Sequence, residues 1–175
     1  MGKIEEPKKV KLISGIMFSS KHDLDAAIEI LKQNYGEIDL TSNIMDFNFT
    51  DYYNSEMGDN LKKIFVSFKD LISPDEIVDI KIKTNEIEDM FLYENSKNRR
   101  INIDPGYISG GNLVLATTKD YSHRIYLGKG IFAEVTLLFQ DKKFHTVPWT
   151  YPDFKTNEYM DYLLEVRKKY MNELN

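Results

Sequence analysis

The segment that most restricts what this chain can become is Val10 to Phe18, VKLISGIMF, an almost unbroken apolar run between charged stretches. A strand that alternates apolar and polar residues can keep one face in water. A run of this kind has to be covered on both faces, and so belongs in the middle of a sheet. The residues that follow offer the covering layers. Ser20 caps a helix with Asp23 in the capping-box position, and Leu24, Ala27, Ile28, Leu31 and Tyr35 line one face until Gly36 ends it. Ile38 to Phe49 reads as a second strand, the polar, Tyr-rich stretch Thr50 to Asn60 as a loop, and Leu61 to Phe68 as a third strand. Ser73-Pro74-Asp75-Glu76 then supplies an N-cap, a proline at the first helical position and a capping-box acid. That helix carries Ile77, Ile80, Thr84, Ile87 and Phe91 on one face to about Tyr93.

Further strands are expected at Arg100 to Asp104, Leu113 to Thr118, His123 to Leu127 and Ile131 to Phe139, with a short one at Phe144 to Val147. Thr156 caps a last helix whose buried stripe is Tyr159, Tyr162 or Leu163, Val166 and Tyr170. The order predicts an α+β fold: a ferredoxin-like βαββαβ core with an extended, mainly antiparallel sheet and a C-terminal helix. At 175 residues the chain fits a single domain spanning 1–175 with one core.

Composition removes several chemistries. With no cysteine, there is no disulfide scaffold, thiolate zinc site, iron–sulfur cluster or cysteine nucleophile, which suits a reducing cytoplasm. The opening MGKIEEPKKVKL is unlike a secretory signal and no run of 18 apolar residues occurs, so a cytoplasmic protein without a membrane partner is expected. A net charge of −5 and a pI near 5.3 disfavour nucleic acid as a partner. Neither a G-x-x-x-x-G-K-[ST] phosphate loop, a G-x-G-x-x-G turn nor a G-x-S-x-G elbow is present. His22, His123 and His145 are too scattered for a zinc motif, and composition assigns no cofactor, metal or oligomeric state.

The chemistry-bearing residues concentrate between Arg99 and Phe139. A type II′ hairpin at Gly128-Lys129 would pair Leu127 with Gly130, Ile125 with Phe132, Arg124 with Ala133 and His123 with Glu134. His123 and Glu134 would then form a carboxylate-oriented imidazole fit for acid–base work or half a metal site, with Thr136 further along that face. The alternative is a polar pair that only stabilises the hairpin. Arg124 would lie on the other face, neutralising a buried carboxylate from a helix. Asp104 would be held in a turn by Pro105-Gly106, next to Tyr107, and Thr118 and Lys119 leave a strand in a run able to grip a phosphate. Together these residues predict a site for a small anionic metabolite, a nucleotide or phosphate ester. Lys119, with Arg124, would neutralise the anion, and Asp104 would hold a hydroxyl or a divalent metal. The rival is a non-catalytic protein–protein interaction module using Tyr52, Tyr53, Met57 and the Trp149 to Phe154 loop.

The strings YYNSEMG (Tyr52 to Gly58), INIDPGYI (Ile101 to Ile108), LVLATTKD (Leu113 to Asp120), HRIYLGKGIFAEVTL (His123 to Leu137) and WTYPDF (Trp149 to Phe154) resemble the prokaryotic family catalogued as domain of unknown function 4416. The resemblance extends over nearly the whole chain and implies a stand-alone single-domain protein without an assigned reaction. Some relatives carry an automatic label of GTP-binding protein. Here the nearest approach to a guanine-reading N-K-x-D is Thr118-Lys119-Asp120, in which no residue separates Lys from Asp.

Overall fold

The structure, a computed structural model, describes residues 2–174. In chain order its elements are β1 (Val10–Phe18), α1 (Lys21–Tyr35), β2 (Ile38–Thr41), β3 (Met45–Asp46), α2 (Asn54–Met57), β4 (Lys62–Ile72), α3 (Ile77–Asp89), β5 (Ile101–Ile108), β6 (Asn112–Thr117), β7 (Ile125–Gly128), β8 (Ile131–Gln140), β9 (Lys143–Thr146) and α4 (Asn157–Glu173). Short 3-10 turns precede α3 and α4. The nine strands form one sheet in the order β2-β4-β1-β5-β6-β8-β7, with β3 added to β4 and β9 to β8, and the paired strands run antiparallel.

Every residue of β1 is buried, as its apolar run demands, between β4 and β5. On one face Leu24, Ala27 and Leu31 of α1 and Ile77, Ile80 and Ile87 of α3 pack against Leu12, Ile16 and Ile103. On the other, Tyr159, Tyr162, Leu163 and Val166 of α4 pack against Ile13, Phe65, Ile108, Leu113 and Leu137. The fold is thus α+β, a large antiparallel sheet with a C-terminal helix. The helix boundaries follow their caps. The Ser20 side chain accepts the Asp23 N–H, the Thr156 side chain accepts the Tyr159 N–H, and the Glu76 carboxylate accepts the Ser73 N–H at 2.6 Å. α3 stops at Asp89, short of Tyr93.

Two strand expectations fail for physical reasons. Ile38 to Phe49 is not one strand but two fragments on β4. Between them Ser42 bridges to Phe65, donating its N–H to the carbonyl and accepting the Phe65 N–H on its hydroxyl at 2.9 Å each. Asp104-Pro105-Gly106 is not a turn: β5 runs through it. The N–H and C=O of Ile103 point away from β1, toward α3 side chains, and the Pro105 nitrogen two residues on points the same way. Since β6 joins only at Gly106, proline's missing donor costs no ladder bond. Gly106 is there for space, because a Cβ would lie 2.3 Å from the Val114 carbonyl oxygen.

Candidate functional site

The hairpin that carries His123 and Glu134 turns one residue later than expected. Lys129 and Gly130 both take left-handed φ (52° and 79°), the requirement of a type I′ turn, and Gly128 pairs with Ile131. A bulge at Leu127 then sets Ile125 opposite Ala133. The strand begins at Ile125, so His123 is in the loop before it, and the expected pairing of Arg124 with Ala133 is replaced. The contact nevertheless forms. His123 Nε2 lies 2.9 Å from Glu134 Oε2, and Arg124 Nε donates to the same oxygen at 2.8 Å. Arg124 therefore compensates Glu134 itself rather than an acid from a helix. Its remaining nitrogens donate to the Lys119 carbonyl (2.9 Å) and the Tyr151 hydroxyl (3.3 Å), and its side chain is only 4% exposed. Thr136 is buried beside this group, its hydroxyl 3.3 Å from Glu134 Oε1.

A stack of rings closes over the imidazole. Trp149 lies 5.0 Å from His123 at an interplanar angle of 16°, and Tyr121 lies 6.0 Å away at 13°. Trp149 also donates its indole N–H to the Val135 carbonyl, and Thr150 donates to that of Thr136. These two carbonyls fall in the gap between β7 and β9, so the loop side chains complete an edge that no strand reaches. Sequence reasoning placed Trp149 in a loop for partner contact and did not anticipate the stacking on His123 or the bond to Val135. The available signal was the only tryptophan of the chain, followed by a hydroxyl residue just after a strand-breaking Pro148.

Asp104 shares this face with Glu134. Gly106 is opposite Leu115 and Leu115 opposite Glu134, and Asp104 is two residues from Gly106 on the same strand. Its carboxylate accepts from Asn102 Nδ2 at 2.8 Å and lies 3.8 Å from Lys81 Nζ. Behind it, Arg99 grips Glu56 through two bonds (2.6 and 3.0 Å) and donates to Glu88 (2.7 Å) and to the side-chain Oδ1 of Asn102 (3.0 Å). That bond to the amide oxygen fixes which way Asn102 offers its NH2. Glu88 and Lys81 take the place of a strand: Glu88 accepts the Ile103 N–H at 2.5 Å, and Lys81 donates to the Ile103 carbonyl at 3.1 Å. Burial raises the Glu88 pKa despite these cations, whereas the hydrogen bonds from Arg99 hold Glu56 low.

The rim is tyrosine. Burial, then the Asp104 charge and the Tyr151 phenol, raise the pKa of Tyr53, which meets Tyr52 edge-on at 5.0 Å. Lys119 Nζ donates to the Tyr52 hydroxyl at 3.2 Å and lies 4.6 Å from that ring's centroid. The loops around α2, around Lys119 and around Tyr151 therefore meet over the stretch of sheet that holds Asp104 and Glu134. Two expected ligand residues are not among them. Tyr107 projects to the opposite face, packed with the core under α1 and α3, where burial raises its pKa; Thr118 is exposed and no described group bonds to its side chain. Of the residues expected to form a contact surface, Met57 and Phe154 are core. Among the described residues no group of three or more potential metal ligands converges. A surface depression lined by Tyr35, Gly36, Asp70 and Ile80 lies away from these residues.

A model of the family described as Domain of unknown function (DUF4416) matches residues 8–170. The chain belongs to the DUF4416 family. That description assigns no activity, and neither a curated protein nor a solved structure matches the chain. What this DUF4416 face offers chemically is an imidazole whose Nε2 is committed to a carboxylate, an ammonium hydrogen-bonded to a phenol with no described carboxylate within 4 Å, a half-exposed carboxylate, and flat aromatic walls. No helix among the described residues is long and apolar enough to cross a membrane.

Proposed function

We propose that this DUF4416 protein binds a small anionic ligand, a nucleotide or phosphate ester, at the face bounded by Asp104, Lys119 and Tyr151, in the cytoplasm. One observation carries the proposal. Of the cations around this face, Lys63, Lys81, Arg99 and Arg124 each have a carboxylate within 4 Å, while Lys119 has Tyr52 as its hydrogen-bond partner, no described carboxylate within 4 Å, and only the longer-range charge of Glu56. An unpaired ammonium among aromatic rings is an anion's natural counter-charge. His123 is available for acid–base chemistry beside it, because an Nε2 turned to Glu134 leaves Nδ1 for a ligand proton. The strand order β2-β4-β1-β5, with α1 and α3 on one face, supports taking these elements as a ferredoxin-like core to which β6 to β9 are added.

A thermal-shift screen with nucleotides, phosphate esters and inorganic phosphate tests the proposal. A ligand-induced rise in Tm that is lost in Lys119→Ala is expected; no rise with any of them, or one unchanged in that variant, rejects it. A second reading, an interaction module without chemistry, is favoured by the exposure of Tyr52, Tyr121, Tyr126, Trp149 and Tyr151. It predicts a change in oligomeric state or partner binding on Tyr126→Glu, with no small-molecule response.

A further inference from the structure

Resting on the anion-binding proposal above, we infer that the ligand is a phosphate monoester that also carries hydroxyl groups, and that polyphosphates are rejected. The charges on this face limit what it can hold. Lys63 is spent on Asp153 at 2.8 Å, Arg99 is divided between Glu56 and Glu88, and Arg124 is held by Glu134. Lys81 serves the Ile103 carbonyl and lies 3.8 Å from Asp104. Among the described cations around this face, Lys119 has no carboxylate within 4 Å and acts on Glu56 only at longer range, and Asp104, its side chain 37% exposed, adds a negative charge on the same face. A phosphate monoester carries about −1.5 to −2 at neutral pH, and each added phosphate brings charge for which the face has no further cation. Nor do three described side chains converge to hold a divalent ion that would offset it.

Asp104 sets the other end of the ligand. Its Oδ2 is occupied by Asn102, an amide whose orientation Arg99 fixes, so the carboxylate is held in place as an acceptor. An acceptor-only group repels phosphate and takes a hydroxyl, so the ester must present O–H donors away from its phosphate. Tyr52 and Tyr151, 63% and 48% exposed, supply flat walls for either a base or the C–H face of a sugar. A nucleoside monophosphate and a sugar phosphate share this chemistry.

Calorimetric titration of the full chain with adenosine monophosphate, glucose 6-phosphate, inorganic phosphate, and adenosine triphosphate with and without Mg2+ decides it. At least one monoester should bind tenfold or more tightly than either triphosphate form and than inorganic phosphate. Lys119→Ala should weaken it tenfold or more, and Asp104→Asn should weaken the monoester while narrowing the gap to the triphosphate. Far-UV circular dichroism and urea midpoints show that both variants are folded. A tighter adenosine monophosphate identifies the nucleoside source, a tighter glucose 6-phosphate the sugar source, and both support the inference. Triphosphate binding as tight as either monoester overturns it and leaves anion binding standing. Binding of none of the five overturns both.

Discussion

Beneath α4 the sheet face is closed, while over Asp104 and Glu134 the same face is covered by loops, and the two halves treat similar residues in opposite ways. Under the helix, Phe65 is 1% exposed and meets Tyr159, Phe154 and Tyr162 at centroid distances of 4.7, 5.6 and 5.8 Å. The Lys63 ammonium lies among four rings, 5.0 Å from Phe154 and 5.5 Å from Phe47, and donates to Asp153. Lys11, fully buried on β1, joins Asp39 to Glu173 and so pins the end of α4. In the loop-covered half, Tyr52, Tyr121, Trp149 and Tyr151 keep rings in water, and Lys119 rests on a phenol. Aromatic and charged side chains act as packing where a helix lies over them and as surface where none does.

Removing a ring should separate the halves most. Phe65→Ala is expected to lower the free energy of unfolding by about 4 kcal/mol in urea titration, while Tyr121→Ala should stay within about 0.5 kcal/mol. Equal losses would break the comparison. Next in size is the buried pair. Lys63→Met leaves Asp153 desolvated without a partner and should cost about 3 kcal/mol, and Lys63→Met with Asp153→Leu should recover most of it. A double variant no better than the single one would mean that the rings around Lys63 hold the cation for its own sake.

How legible these halves were in the sequence follows the same division. Most of the closed half was readable: the β1 run, the Thr156 cap and the stripe of Tyr159, Tyr162, Leu163, Val166 and Tyr170 are as their spacing predicts, and only the break at Ser42 within Ile38 to Phe49 was not. Periodicity reports burial against a layer, and that half consists of layers. In the open half the His123–Glu134 contact was anticipated, but from a register one residue off, because Gly128 and Gly130 both permit positive φ and the sequence does not say which one turns the chain. Asp104-Pro105-Gly106 was misjudged because a proline inside a strand is tolerable only where a neighbouring strand has yet to join, which is a tertiary fact. The pairing of Arg99 with Glu56 and Glu88 joins residues 43 and 11 positions apart, and no local pattern carries it.

Acid titration should distinguish the halves with opposite sign. At Asp39, under α4, burial alone would raise the pKa. Hydrogen bonds from Lys11 and Ser67, with the charges of Lys11 and Lys169, outweigh burial and lower it. Its contribution is present above the unfolded carboxylate value of about 3.9 and is lost as pH falls through the lower folded value. Glu88, where β5 and β6 part, has a raised pKa, so the native state holds the proton more tightly. Its contribution falls as pH rises from the unfolded value of about 4.3 through the folded one. Urea midpoints measured across acid pH should therefore show the advantage of the wild type over Asp39→Asn growing as pH rises, and its advantage over Glu88→Gln shrinking. Slopes of the same sign would mean that Glu88 is as well compensated as Asp39.

The smallest expected effect is the most telling for the open half. Lys119 touches the ring and hydroxyl of Tyr52, and both side chains are at the surface, so Lys119→Ala removes one exposed cation–π contact whose loss neighbouring water offsets. Stability should change by less than about 0.5 kcal/mol, and Tyr52→Ala should behave alike. If Lys119 were instead packing, in the manner of Lys63, truncation would cost as much as a buried pair and the variant would unfold early with or without ligand. A side chain that stability does not require, with no described carboxylate within 4 Å while its neighbouring cations are paired, is one whose work is done on something outside the chain. The pair of measurements, unchanged urea midpoint and lost ligand response, is what that requires of Lys119→Ala.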